Sequence, residues 1–358
     1  KSIINKENID HSKEPMFFGK PLNLQRYDRT RYKSNLEFFK EQITFFWRPE
    51  EIDLENEKKD WAKLTTPDQK MFLKNISYQI LLDSAQSKGI GDNIKHTSNP
   101  EIEAFGTWWT AMETMHSYSY SWIIMNLFPN PSDIFDEILN DKEILKRASS
   151  VTQYYDDLIE KVGSNADLYS IKKQFYLTLM SINILEGIRF YVSFACAYGF
   201  GEKQLMEGNA KIIKLIQRDE NLHLGFTQFV LKKFRDEPSE GFQDIVKECE
   251  PLVTQMFKDA AQEEMDWADY LFEDGEMIGL NSEILKKYMM FLTNSRMKVL
   301  GLTPIFENTK NPIPWIKNWT DNKAIQVAKQ ETENTSYVIG SIANNTQNAD
   351  FSKYEDLI

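Results

Sequence analysis

The sequence predicts an all-α protein, a helical bundle with additional helices and a flexible C-terminal tail. Three observations carry that reading. Between residues 66 and 300 Gly and Pro are scarce, which leaves few natural breaks. Apolar residues recur there at three- and four-residue steps, the period of long buried helices rather than strands. Composition, 41% hydrophobic and 27% charged over 358 residues, is that of an ordinary globular chain.

Taken in order, the N-terminal "KSIINKENIDHSKEP" is polar and has no apolar core of a signal peptide; its missing initiator Met points to trimming. The first long helix opens at "TTPDQKMFL", with Thr66 as cap and Pro67 in the first turn, and should reach about Gln86. A second covers roughly Glu101 to Leu127 and stops at "FPNPSD". A third runs from about Ser170 to Tyr198, and a fourth from about Lys203 to Phe234. After Leu302 the texture changes to "TPIFENTKNPIPWIKNW", read as an extended arm lying on the helical body. From Glu331 onward, five acids (Glu331, Glu333, Asp350, Glu355, Asp356) face one base, Lys353, with few large apolar groups. Such a segment cannot fold alone. The expected division is a helical domain with its N-terminal arm over 1–320 and a docking tail over 321–358.

Bulk charge narrows the partners. A net charge of −12 argues against nucleic acid, whose backbone needs a basic face. No run of about 18 apolar residues is present to span a membrane. Cys196 and Cys249 lie far apart, unlike a disulfide scaffold or a zinc site, which suggests a reducing, cytoplasmic compartment.

The chemistry lies in a repeated spacing. Two of the four histidines sit three residues after a glutamate: Glu113/His116 in "ETMHSYSY" and Glu220/His223 in "RDENLHLGF". Three residues apart on a helix are neighbours, so each pair can hold one ion from two sides. A lone acid precedes each pair on the preceding helix. Asp83 continues the stripe Phe72, Ile76, Ile80, and Glu186 lies between Leu179, Ile182 and Phe190, Phe194. Acids on apolar faces are costly to bury unless a cation meets them. Asp83, Glu113, Glu186 and Glu220 together carry four negative charges, which two divalent ions balance. Oxygen-rich ligation with one imidazole per ion suits iron or manganese better than zinc or copper. This is close to the ligand set of the ferritin-like di-metal carboxylate bundles, with Asp83 where Glu is usual.

Trp109, Glu113, His116, Tyr120 and Ile124 step by three or four, so they share one helix face. Tyr120 therefore lies one turn past a metal ligand. Phe190, Phe194 and Ile216 would enclose its phenol in a dry pocket, a place to make and keep a radical. Taken singly these features are ordinary: one Glu-x-x-His is usually a solvated pair, and an aromatic stripe is usually core.

At these residues the sequence resembles the radical-generating small subunit of class I ribonucleotide reductases, of the Ia type. The likeness runs from "PMFFGKPLNLQRYD" to the tail through "FFWRPEE", "YQILLDS", "ETMHSYSY", "LEGIRFYVSFAC", "EGNAKIIKLIQRDENLH", "DWADYLF" and "NPIPWI". The resemblance implies a site of two irons that consumes O2 and oxidises a tyrosine, without excluding two manganese ions or a mixed pair. It places Asp83, Glu113 and His116 on one ion and Glu186, Glu220 and His223 on the other, with Tyr120 as the radical. By the same likeness, Trp47 delivers an electron and Asp219 connects it to His116. Tyr337 and Glu331 would relay the radical from the tail to the large subunit, where substrate is reduced. A homodimer docking to that large subunit, and an external electron donor, complete what it implies. Tyr118, where Arg is common in relatives, and Phe105, where some have Trp, depart from the pattern but leave the six ligand positions intact. Two other readings of the bundle are a di-iron monooxygenase or desaturase, and an iron-storage protein.

Overall fold

The computed structural model describes residues 5–277 and 279–320, so the tail, with Glu331 and Tyr337, lies outside the described residues. In chain order the helices are α1 (Lys33–Thr44), α2 (Glu57–Trp61), α3 (Thr66–Ile94), α4 (Pro100–Leu127), α5 (Pro131–Ile138), α6 (Lys142–Gly163) and α7 (Leu168–Ile184). They continue as α8 (Tyr191–Glu202), α9 (Glu207–Asp236), α10 (Gln243–Leu271), α11 (Ser282–Val299) and α12 (Lys317–Thr320). Among the described residues there is no strand, only the isolated bridges Phe17–Thr97 and Met277–Leu280.

The centre is a twice-repeated helix pair, α3 with α4 and α7–α8 with α9. Around it, α1 lies on α4 and α9, α6 on α3 and α7, and α10 on α7 and α11. The Leu168–Glu202 stretch is long and apolar enough to cross a membrane by composition, yet its most apolar window is wholly inside the protein.

Boundaries differ from expectation for local reasons. The cap of α3 is Thr65, not Thr66: Thr65 is extended (φ −67°, ψ 159°) and its hydroxyl oxygen accepts the Asp68 N–H. The same helix passes Gln86 and reaches Ile94 in spite of Gly89 and Gly91. Gly89 is required by close approach, because a Cβ there would lie 2.3 Å from Tyr155 Cζ on α6. The α9 helix starts later than Lys203, at Glu207, because Met206 turns left-handed with φ 50°. The third expected helix is interrupted. Residues Leu185–Arg189 form a π-turn between α7 and α8.

Both arms are fastened to the body. Glu240, after α9, accepts the Met16 backbone N–H at 2.7 Å, the Tyr32 hydroxyl at 2.8 Å and Arg31 Nε. Beyond α11 the extended arm is held by Asn294, whose Nδ2 donates to Phe306 O at 2.7 Å. At its end Trp319 stacks on Tyr198 with centroids 5.1 Å apart and donates to Glu202 Oε1 at 2.6 Å.

Candidate metal centre

Four helices bring the six expected ligand residues to one buried place. Asp83, Glu113, His116, Glu186, Glu220 and His223 are all 0% exposed. Ligand atoms of Asp83, Glu113, His116 and Glu220 lie within 4.8 Å of one another, and so do those of Glu113, Glu186, Glu220 and His223. The two quartets share Glu113 and Glu220. This differs from the three-plus-three division that the resemblance implies, because Glu113 and Glu220 each face both positions.

The donor set fits a pair of divalent cations. Both Asp83 oxygens, Glu113 Oε2, Glu186 Oε2, Glu220 Oε1 and His116 Nδ1 are buried without a hydrogen-bond partner. His116 Nδ1 stands 3.0 Å from Glu220 Oε1 and 3.5 Å from Glu113 Oε2. Such proximity of unmatched lone pairs is what a shared cation relieves. Without one, protons must do so. Burial first, then the Glu113 charge, pushes Asp83 well above the usual carboxylate range. Burial and the Glu220 charge do the same to Glu186, and burial with the Glu113 charge lifts Glu220 to about 8. Burial works against Glu113 too, yet the close imidazoles of His116 and His223 hold it down at about 2.

Each imidazole is held from behind, but by different chemistry. The far nitrogen of His116, Nε2, lies 3.0 Å from Asp219 Oδ2, which also accepts Trp47 Nε1 at 2.8 Å. A carboxylate accepting Nε2–H fixes the tautomer whose Nδ1 lone pair faces the quartet. The Trp47 ring is 1% exposed and runs near-parallel to His116, with centroids 6.3 Å apart. Behind His223, Nε2 meets the Gln42 amide at 3.0 Å. When His223 ligates through Nδ1, its Nε2–H needs an acceptor; Gln42 Oε1, buried and unpartnered, supplies it once the amide is turned over.

Further side chains orient the acids. Trp109 Nε1 donates to Glu113 Oε1 at 2.6 Å. Gln86 Nε2 donates to Glu186 Oε1, and the Gln86 carbonyl accepts the Tyr155 hydroxyl. Sequence reading missed Gln42, Gln86 and Tyr155. Gln86 was within reach, being one turn past Asp83 on the same helix; Gln42 and Tyr155 come from α1 and α6 and give no spacing signal.

The Tyr120 phenol is fully buried, and its hydroxyl lies toward Asp83 without a well-formed hydrogen bond. Burial, then the Asp83 and Glu220 charges, raises it well above the usual phenol range, which places it beside the cluster. Phe190, Phe194 and Ile216 are each 0% exposed, and the two rings stack with centroids 5.7 Å apart. Tyr118 points elsewhere: it is 41% exposed and donates to Glu50 Oε1 at 2.5 Å. The other two histidines are outside the cluster, His11 in a 3-10 turn and His96 against Phe18.

Comparison with known proteins agrees with this architecture. The chain is 43% identical over 366 residues to "Ribonucleoside-diphosphate reductase 1 subunit beta" of Escherichia coli O157:H7, covering 97% of each. It is 44% identical to the beta subunit of Haemophilus influenzae over 96% of each chain, and 38% identical to that of Enterobacteria phage T4 over 99% of each. The solved ribonucleotide reductase R2 subunit of Clostridium botulinum superposes with a TM-score of 0.81 at 28% identity, covering 89% of this chain and 98% of that one. The sequence profile described as ribonucleotide reductase, small chain, matches residues 25–312. A buried six-residue carboxylate–imidazole cluster in a helical bundle and this agreement along the whole chain lead to one conclusion: the protein belongs to the ribonucleotide reductase small-chain family.

Proposed function

We propose that this chain is the radical-generating small subunit of a ribonucleoside-diphosphate reductase. Its large partner subunit would reduce ribonucleoside diphosphates to deoxyribonucleotides. The observation that carries the reading is the line Trp47–Asp219–His116 ending at a cluster beside a buried Tyr120. Asp83, Glu113, His116 and Glu220 would hold one ion, and Glu186 and His223 with the two shared glutamates the other. Two irons are the expected pair, two manganese or a mixed pair being alternatives that the same ligand types accept. When bound, the ion pair supplies the reactivity toward O2 and the oxidising equivalent.

The protein groups do the rest. Asp219 holds Trp47 and His116 together and orients both rings. Trp47 would offer an electron from the far end of that line during assembly, fed by an external donor. Tyr120 gives up one electron and its hydroxyl proton and becomes a phenoxyl radical. Phe190, Phe194 and Ile216 keep water from it. Tyr337 and Glu331, in the tail beyond the described residues, would relay the radical to the large subunit, and residues 321–358 would dock there. Homodimerisation, and a cytoplasmic location supported by the buried, unpaired Cys196 and Cys249, belong to the same reading.

Aerobic protein loaded with Fe(II) should show a tyrosyl radical in electron paramagnetic resonance. Tyr120→Phe should abolish it while leaving metal content unchanged; a signal persisting in that variant removes Tyr120 from its role. Deleting residues 338–358 should eliminate reductase activity with the large subunit but spare the radical. An oxygenase or desaturase, or a storage protein, would not depend on those residues.

A further inference from the structure

We propose that Arg296 and Arg189 are positioning residues that clamp the π-turn Leu185–Arg189 and thereby fix where the Glu186 carboxylate sits. The proposal rests on the di-metal reading above and adds to it residues that touch no ligand atom. Glu186 is the second residue of that turn. A π-turn inserts one residue into a helix and loosens its regular hydrogen bonding. Among the ligand-bearing segments, only Glu186 stands on such a turn, whereas Asp83, Glu113, His116, Glu220 and His223 stand on regular helix. Something outside the helix must set its register.

Two arginines tie the turn to neighbouring helices. Arg296, on α11, donates from Nε to the Gly187 carbonyl at 3.1 Å. Its stem lies flush on the turn, since a Cβ at Gly187 would be 3.4 Å from both Arg296 Cγ and Cδ and 3.0 Å from Leu224 Cδ1. Its guanidinium sits over the Tyr191 ring at 5.1 Å, the residue two beyond the turn. Arg189 lies in the turn itself and reaches α10, with Nη1 2.6 Å from Glu263 Oε2 and 3.8 Å from Glu264 Oε1. Glu264 in turn accepts the Tyr78 hydroxyl from α3 at 2.6 Å.

Stability alone gives a poor account of Arg296. The side chain is 0% exposed, yet Nη1 and Nη2 have no hydrogen-bond partner. Burying a guanidinium in that condition is costly, and an apolar side chain of similar length would fill the space at less cost. What the arginine provides and an apolar residue cannot is a directed bond to the Gly187 carbonyl. Side chains that hold a ligand-bearing element typically change metal affinity by about 10–100-fold when removed.

The test uses the full-length, metal-free protein titrated with Mn(II) alone, free ion being read by electron paramagnetic resonance. Amide hydrogen exchange is followed over residues 185–190. Wild type should bind two ions per chain. Arg296→Met should fold with an unchanged or higher Tm, yet exchange its π-turn amides about tenfold faster. One Mn(II) site should weaken about 10–100-fold while the other is retained. Folded Arg296→Met with wild-type exchange and both affinities intact overturns the proposal. Should that variant fail to fold, Arg189→Gln decides, because it stays polar and removes the ion pairs with Glu263 and Glu264. The same selective weakening supports the clamp, and its absence refutes it. Wild-type protein binding fewer than two ions would instead overturn the di-metal reading.

Discussion

The two halves of the cluster are built from the same sequence pattern but supported differently. The half on α3 and α4 stands on regular helices, and its histidine is backed by a carboxylate, Asp219, which also binds Trp47. The half on α7–α8 and α9 carries Glu186 on a π-turn, and its histidine is backed by a neutral amide, Gln42. A carboxylate behind His116 favours positive charge on that ring and ties it to the buried Trp47 indole. An amide behind His223 orients the ring without changing its charge. The repeat therefore makes two similar sites of unequal electronics. One is linked through a carboxylate to a buried indole, and the other is carried on a π-turn.

Removing the metal from both halves together should have the largest effect, and it is a function of pH. Asp83, Glu186 and Glu220 have folded values raised above those of the unfolded chain, Glu220 to about 8. Between the ordinary carboxylate range and those values the folded state holds more protons than the unfolded one, so stability falls as pH rises. His116, raised well above its usual value by the Glu220 charge and Asp219 against the effect of burial, acts in the same direction. Glu113, held at about 2, loses its contribution only in strong acid. Metal-free protein should thus melt at steadily lower temperature from pH 5 to 8, by up to ~1.4 kcal/mol per pH unit for each proton involved. The gap to metal-loaded protein should widen over the same range. A metal-free Tm that is flat or rising across that window would show that the acids are not sharing buried charge.

The next largest effect separates the halves. Asp219→Asn keeps the shape but weakens the link to Trp47 and His116; metal affinity on that half should drop about 10–100-fold, with slower radical assembly. Gln42→Leu should weaken the His223 half less, by about tenfold, and leave the assembly rate nearly unchanged. Equal penalties measured by metal titration and stopped-flow absorption would erase the asymmetry. The smallest effect belongs to the surface: Tyr118→Phe removes a hydrogen bond to Glu50 at a 41% exposed site. Stability should stay within about 0.5 kcal/mol and the radical signal should be unaltered.

The bundle, its pairing of helices and the six residues of the buried cluster were legible because each lies on a helix whose stripe announces its buried face. Asp83 and Glu186 stand out as acids on apolar stripes; nothing but shared charge explains them. What stayed hidden came through contacts between distant segments. Gln42 and Tyr155 arrive from flanking helices with no periodic relation to the ligands. The π-turn left no mark, since one inserted residue shifts the stripe from 186 to 190 by less than the scatter of apolar positions. Helix ends moved for steric reasons a single sequence conceals, as at Gly89, where an aromatic ring from α6 takes the place of a side chain.

The anchoring of Trp319 has a consequence for the proposed relay through the tail. Stacked on Tyr198 and tied to Glu202, it makes residue 320 a fixed launching point on the flank of α8. Tyr337 lies seventeen residues beyond Thr320 in the sequence, a span of at most about 60 Å for any extended backbone. On the proposed relay, the receiving surface of the large subunit would have to fall within that span, so the reach of transfer would be set by where Trp319 is anchored.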